Sequence, residues 1–252
     1  MIRNCLLAAA ATAMLSAGAG AAPVPATVKA ALNDAARPAD DVKRDADRKP
    51  AAMLAFAGIK PGARVMDLIP GGGYFTRIFA KAVGPSGYVY AFQPTELDHF
   101  FKDKEPPIVV VAAAYPNVSV IHAPVNTLAA PESLDVVWTS QNYHDLKNDF
   151  FKPADSALVN KAVYDALKPG GLYIVLDHSA PEGSGVRDTD TLHRIDEAVV
   201  KKEVEAAGFK LAGESNVLRN PKDQRTVKVF DPSIRGHTDQ FILKFRKPAG
   251  HK

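Results

Sequence analysis

The chain has 252 residues, 46% hydrophobic and 23% charged, a composition that allows one sizeable core and one main domain. The formal net charge is +3 with no long run of like charges, which gives no basis for nucleic-acid binding. The single cysteine, Cys5, excludes an internal disulfide and a cysteine metal cluster.

Residues 1–22 read as a cleavable secretory signal. Arg3 gives a positive start, and residues 5–15 are an apolar block well short of the roughly 20 residues a spanning helix needs. Residues 16–22 are small, of the A-x-A type, with the cut after Ala21 or Ala22. The alternative is an Ala-rich flexible leader. The signal reading predicts a periplasmic or secreted protein, with no stable membrane insertion after cleavage. Cys5 does not follow the apolar block, so it is no lipidation site, and it leaves with the signal.

Residues 23–49 read as a linker and helical arm, with Asp40 and Arg44 spaced as an i,i+4 pair. A regular domain is expected over 50–247, followed by a short tail, 248–252. Pro50 suits the first position of a helix and Gly58 its cap. Strands are expected at 63–68, 88–92, 117–123, 134–140 and 172–177, with two more near 211–215 and 240–245. Between the first two, Phe75, Ile78, Phe79, Ala82 and Val83 fall on one helical face, stopped by Gly84-Pro85. A second helix over 157–167 is expected to bury Leu158, Ala162, Val163, Ala166 and Leu167, and "KPGG" to end it. A third has Asp196 as its N-cap and Gly208 past its end. Apolar strands alternating with helices indicate a parallel sheet covered on both faces. The connection over 220–239 suits a hairpin with a lid-like loop, within which Arg225, Arg235 and Asp239 can pair.

The segment "VMDLIPGGGYFT" is a strand, a glycine turn and a helix start. Glycines there let a backbone approach a ligand, and the free N–H groups of the helix start favour polar or anionic groups. The spacing is not G-x-G-x-x-G, so the dinucleotide fingerprint is not met; a plain tight turn is the alternative.

The segment resembles the first motif of the class I S-adenosylmethionine-dependent methyltransferases. Asp67 matches the acid, Gly71 and Gly73 the second and third glycines, and Ile69 replaces the first. "GARVMDL", "SLDVVWTSQNYHDL", "LKPGGLYIVLD" and "EVEAAGFKL" extend the resemblance in order, over about residues 50–247. The whole chain, with "RPADD", "HRID" and "RGHTDQF", looks most like a family of predicted exported methyltransferases. The resemblance implies an α/β, Rossmann-like, doubly wound sheet of seven mostly parallel strands with helices on both faces. It also implies S-adenosyl-L-methionine as cofactor and a small-molecule or envelope acceptor.

Cofactor contacts are then expected from Asp67, Pro70, Gly71, Gly72, Gly73, Gln93, Glu96 and Asn142. Gln93 stands where the family has a ribose-binding acid, and Glu96 either reaches in or is a solvated loop charge. Pro124 occupies the position of an adenine-binding Asp, with Asn126 as substitute or turn residue. Catalytic roles fall to His144, Tyr143, Asp145 and His178, at the carboxyl edge of the sheet. His144 is the expected base, oriented by Asp145 or another carboxylate; capping of the loop is the alternative. Arg194 binds an anionic acceptor or pins the Asp196 cap. His122, His144, His178 and His193 show no i,i+4 spacing, so no metal site is expected. A second function, from a different class, is an exported binding module on the same fold with weakened or lost cofactor use. It is favoured by Ile69, Gln93, Pro124 and export away from the cytoplasm, where the cofactor is made. The acceptor and the oligomeric state are not legible.

Overall fold

The computed structural model describes residues 24–102 and 104–250. The signal reading of residues 1–22 lies outside the described residues.

Among the described residues, helices α1 (Ala26–Leu32), α2 (Ala39–Lys43), α3 (Asp45–Arg48) and α4 (Pro50–Ala57) precede the sheet. Strand β1 (Arg64–Leu68) leads into α5 (Tyr74–Val83), then β2 (Tyr88–Pro94), α6 (Asp98–Phe101), α7 (Pro107–Ala113) and β3 (Val118–Ala123). The second half runs β4 (Leu134–Ser140), α8 (Ser156–Ala166), β5 (Leu167–His178), α9 (Thr189–Leu192), α10 (Glu197–Ala206), β6 (Lys210–Ser215) and β7 (Gln240–Arg246).

The seven strands form one sheet in the order β3-β2-β1-β4-β5-β7-β6. All neighbours from β3 to β5 are parallel, and β7 is antiparallel to both β5 and β6. After β1 the chain winds one way to β2 and β3, then returns to place β4 on the other side of β1. The carboxyl ends of β1 and β4 therefore flank a topological switch point, where open α/β sheets bind ligands.

One sheet face is covered by α1, α4, α5 and α7, whose Val28, Met53, Leu54, Phe75, Phe79 and Ile108 are buried. Trp138 of β4 anchors it, with ring centroids 4.7 Å from Phe75 and 5.5 Å from Phe79. On the other face, α8 and α10 bury Val159, Val163, Val200 and Val204 against Phe92, Tyr173 and Phe209. Asp155 and Asp196 cap these two helices by accepting backbone N–H bonds.

Local expectations differ from the structure at three points. Leu158 is 52% exposed and Val159 takes its place in the core, because α8 turns Asn160 inward to hydrogen-bond Tyr143. β5 begins at Leu167, so "KPGG" lies within the strand, at an irregularity in its pairing with β4. Asp40 pairs with Lys43 rather than Arg44. The arm is latched to α5 by other contacts: Arg77–Asp41 at 3.0 Å, Lys81–Asp34 at 3.1 Å, and the Tyr74 hydroxyl donating to Asp45 at 2.6 Å, while Arg37 pairs with Asp45 within the arm at 2.6 Å.

Candidate functional site

The glycine turn follows β1 at the switch point. Ile69 has φ 61°, the left-handed region that costs a β-branched residue about 1–3 kcal/mol. It is held there at both ends: its N–H donates to Phe92 O at 3.0 Å and its carbonyl accepts from Asn142 Nδ2 at 3.0 Å. A first glycine at this position would adopt the same turn without strain. A Cβ added at Gly71 or Gly72 would meet no heavy atom within 4 Å, so both leave the backbone open to a ligand. Gly73 serves another purpose. A Cβ there would stand 2.9 Å from Val111 and 3.2 Å from Ile108, so this glycine lets α7 pack against the turn. Asp67 stands behind the turn and accepts from the Thr76 hydroxyl at 2.6 Å, bracing α5 on β1. Burial pushes its carboxyl up to about 6, against the opposing effects of Thr76 and Arg48.

The turn opens onto a cavity of about 880 Å³. Ile69, Pro70, Gly71 and Gly72 form one side, and Leu97, Phe100 and Phe150 give an apolar, aromatic stretch of wall. Ser140 at the end of β4, Gln141, Asn142, His144 and Asp145 after it, and His178 at the end of β5 bring the polar groups. Gln141 also has a left-handed backbone, φ 64°. Arg48 enters from the arm. Its guanidinium lies 4.5 Å from the Tyr74 ring centroid and 4.9 Å from that of Phe75, and donates to Ser140 Oγ (3.2 Å) and Gln141 Oε1 (3.0 Å). Burial lowers its pKa to about 10.

His144 is the centre of the polar cluster. Nδ1 lies 2.8 Å from Asp177 Oδ1, and Nε2 lies 3.1 Å from Asp145 Oδ1 and 3.2 Å from His193 Nδ1. Burial alone would lower the imidazole pKa, but the charges and hydrogen bonds of Asp177 and Asp145 outweigh it and raise it to about 10. Burial likewise opposes ionisation of Asp145, yet bonding to His144 and His193 holds it at about 2. The two carboxylates thus favour the protonated imidazole more than its usual pKa would suggest. His178 is the opposite case: burial, followed by the charge of His144, pushes it well below its usual value. Its Nδ1 is tied to Thr238 Oγ1 at 2.7 Å, leaving Nε2 as the free ring nitrogen.

Several expected residues are placed elsewhere. Tyr143 is buried away from the cavity, its hydroxyl donating to Glu203 (2.8 Å) and accepting from Asn160 (2.7 Å), because the chain turns after Asn142 and points this ring toward α8 and α10. Gln93 is buried, its amide 3.3 Å from Pro94 O. Both Glu96 oxygens accept the Val125 N–H, so this carboxylate fastens a turn after β3 and does not face the cavity. Asn126 is a turn residue, bonding Pro153 O and the Asp155 N–H. Arg194 neither pins the Asp196 cap nor faces a ligand: it is fully buried on Asp223 and the carbonyls of Ser179 and Val227. Arg225 pairs with Asp239 at 2.8 Å, as spacing allowed.

Beside the first cavity lies a second, of about 580 Å³, sharing Arg44, Arg48, Gln141, His178, Val229 and Phe230 with it. Arg235, Gly236 and Gln240 belong to this second cavity. Val229 and Phe230 lie on the β6–β7 connection, which the Val229 N–H fastens to Leu192 O at 3.2 Å. Arg48, Asp177 and His193 are the groups linear reading missed as site residues. Two of them carry a local signal: Asp177 directly precedes His178 at the end of β5, and His193 lies in the polar run "LHRID".

No family model matches the chain. The C-methyltransferase of ubiquinone and menaquinone biosynthesis UbiE from Pseudomonas paraeruginosa is 29% identical over 193 residues, covering 76% of this chain. The chain spans 65% of the length of that relative. Among solved structures, an S-adenosylmethionine-dependent methyltransferase from Mesorhizobium loti aligns with a TM-score of 0.56 at 18% identity, over 81% of this chain and 99% of the other. The [4+2]-cyclase SpnF aligns with a TM-score of 0.58 at 18% identity, over 81% of this chain and 82% of the other. With its strand order and switch-point turn, the chain has the fold of the class I S-adenosylmethionine-dependent methyltransferases.

Proposed function

We propose that the protein is an S-adenosylmethionine-dependent methyltransferase acting on a small-molecule acceptor. The observation that carries this is the side-chain-free Gly71–Gly72 turn, opening onto a cavity large enough for such a cofactor and sharing a wall with a second cavity. The residues present fit the cofactor at the turn and at the apolar wall of Leu97, Phe100 and Phe150, where a flat base can stack. S-adenosylmethionine supplies an electrophilic methyl group on a sulfonium sulfur. Gly71 and Gly72 admit the ligand backbone-close, and Asn142 fixes the turn by holding Ile69 O. Arg48 and Arg44 make the second cavity favourable to an anionic acceptor. His178, with Nδ1 tied to Thr238, is positioned to take a proton from the acceptor on Nε2. The test is calorimetric titration of the purified protein with S-adenosylhomocysteine. Stoichiometric binding supports the reading, and none at millimolar ligand overturns it.

The second reading, a binding module that has lost the cofactor, is favoured by Gln93 and Glu96, which leave the cavity without a ribose-binding carboxylate from β2. The same titration decides between them. Residues 1–22 support export to the periplasm. No helix among the described residues is long and apolar enough to cross a membrane. Fractionation with N-terminal sequencing should find a periplasmic chain beginning at residue 22 or 23; an uncleaved cytoplasmic product overturns export.

A further inference from the structure

We propose that His144, Asp145 and His193 form a binding site for one divalent metal ion of the zinc class, open to the cavity beside the glycine turn. The donor atoms are His144 Nε2, Asp145 Oδ1 and His193 Nδ1, separated by 3.1, 3.2 and 3.8 Å and all within 4.8 Å of one another. Ligands bound tetrahedrally at zinc distances lie about 3.3 Å apart. The three separations bracket that value, so an ion fits with only small side-chain movement.

Orientation supports the same assignment. Asp177, fully buried, accepts from His144 Nδ1 with one oxygen and from the His144 backbone N–H with the other, both at 2.8 Å. A carboxylate on the far nitrogen is the usual support of a metal-bound histidine; it fixes the tautomer and aims the near nitrogen at the ion. The backbone that carries His193 is also fixed in place. Its left-handed backbone, φ 54°, is followed by Arg194, which is buried on Asp223 and two carbonyls.

Two imidazoles and one carboxylate form a borderline donor set, suited to zinc and its neighbours rather than to calcium or magnesium. Three protein ligands leave a fourth position, and all three residues line the cavity. That is the pattern of a site that binds a reactant, not of a closed structural site. An oxygen or sulfur of the acceptor coordinated there would lose its proton more readily. The metal site does not depend on the methyl-transfer reading: it can exist without the cofactor, and the cofactor can bind without it.

The test uses untagged full-length protein stripped with chelator and titrated with Zn²⁺ or Co²⁺ alone. The expected result is one ion per chain, a raised melting temperature and the visible absorption of four- or five-coordinate Co²⁺. His193→Gly keeps the left-handed backbone and deletes one ligand. It should stay folded by circular dichroism while losing affinity by at least the roughly 100-fold that loss of a supporting outer partner can cost, together with the Co²⁺ spectrum. His122→Ala, at an exposed histidine paired with Asp98 outside the cluster, should bind as the parent does. Absence of stoichiometric binding to the parent at micromolar Zn²⁺ overturns the proposal, as does unchanged binding by His193→Gly.

Discussion

Asp177 holds His144 twice, through the ring Nδ1 and through the backbone N–H, and its Oδ1 also accepts the His178 N–H at 2.7 Å. One buried carboxylate thus sets two of the histidines facing the cavity. Asp177→Asn keeps the shape but puts an N–H₂ group against at least one of these donors. Stability should fall by about 1–3 kcal/mol in urea unfolding, the cost of leaving a buried polar group unpaired. The downfield proton of His144 Nδ1 should vanish from the NMR spectrum. An unchanged proton resonance would show that Asp177 does not hold the ring.

Ile69 stores strain where the family motif has glycine. Ile69→Gly relieves about 1–3 kcal/mol of backbone strain but gives up a buried side chain and stiffens nothing in the unfolded chain. The net expectation is a loss of roughly 2 kcal/mol, with tighter binding of S-adenosylhomocysteine because the turn widens. Weaker binding in a folded variant would mean that Ile69 contacts the ligand productively.

The sheet was legible because its signals are local: apolar runs at β1, β2 and β4, the 3.6-residue stripe of α5, and the Asp196 cap. The site was legible in part. The glycine turn and the His144–Asp145 dipeptide lie in single stretches, whereas Arg48 reaches Ser140 across 92 residues and His193 reaches His144 across 49. No spacing rule reports such pairs. Tyr143 shows the converse failure: adjacency to His144 suggested a shared site, but the turn after β4 sends neighbouring side chains to opposite sides. Leu158 failed because a polar residue, Asn160, is used in the core and Val159 turns inward beside it, while Val163 and Leu167 are buried as expected.

Asp67 should leave a signature in the pH dependence of stability. Its folded pKa is about 6, raised from 3.8, while the unfolded chain has the ordinary value. Between those values the folded state holds a proton the unfolded state has released. Asp67's own contribution to stability is therefore greatest below about pH 4 and declines as pH rises toward 6, by about 3 kcal/mol in all. Asp67→Asn cannot ionise and should gain about that much relative to the parent between pH 4 and pH 7. Urea unfolding at the two pH values checks it; parallel profiles would show that Asp67 ionises in the fold as freely as in water.

Neighbouring glycines in the turn should respond in opposite ways. At Gly72 the backbone is not left-handed and a Cβ meets nothing within 4 Å, so Gly72→Leu, at a residue lining the cavity, is expected to cost little stability, within about 1 kcal/mol. Binding of S-adenosylhomocysteine should be lost, since the space the ligand needs is filled. At Gly73 the left-handed φ of 75° and the approach to Val111 and Ile108 make even Gly73→Ala costly, by roughly 2–4 kcal/mol, through strain and displacement of α7. Thermal unfolding and titration of both variants separate the roles. A folded Gly72→Leu that still binds at parental affinity would place the ligand away from the turn. A Gly73→Ala as stable as the parent would remove the packing role assigned to the third glycine.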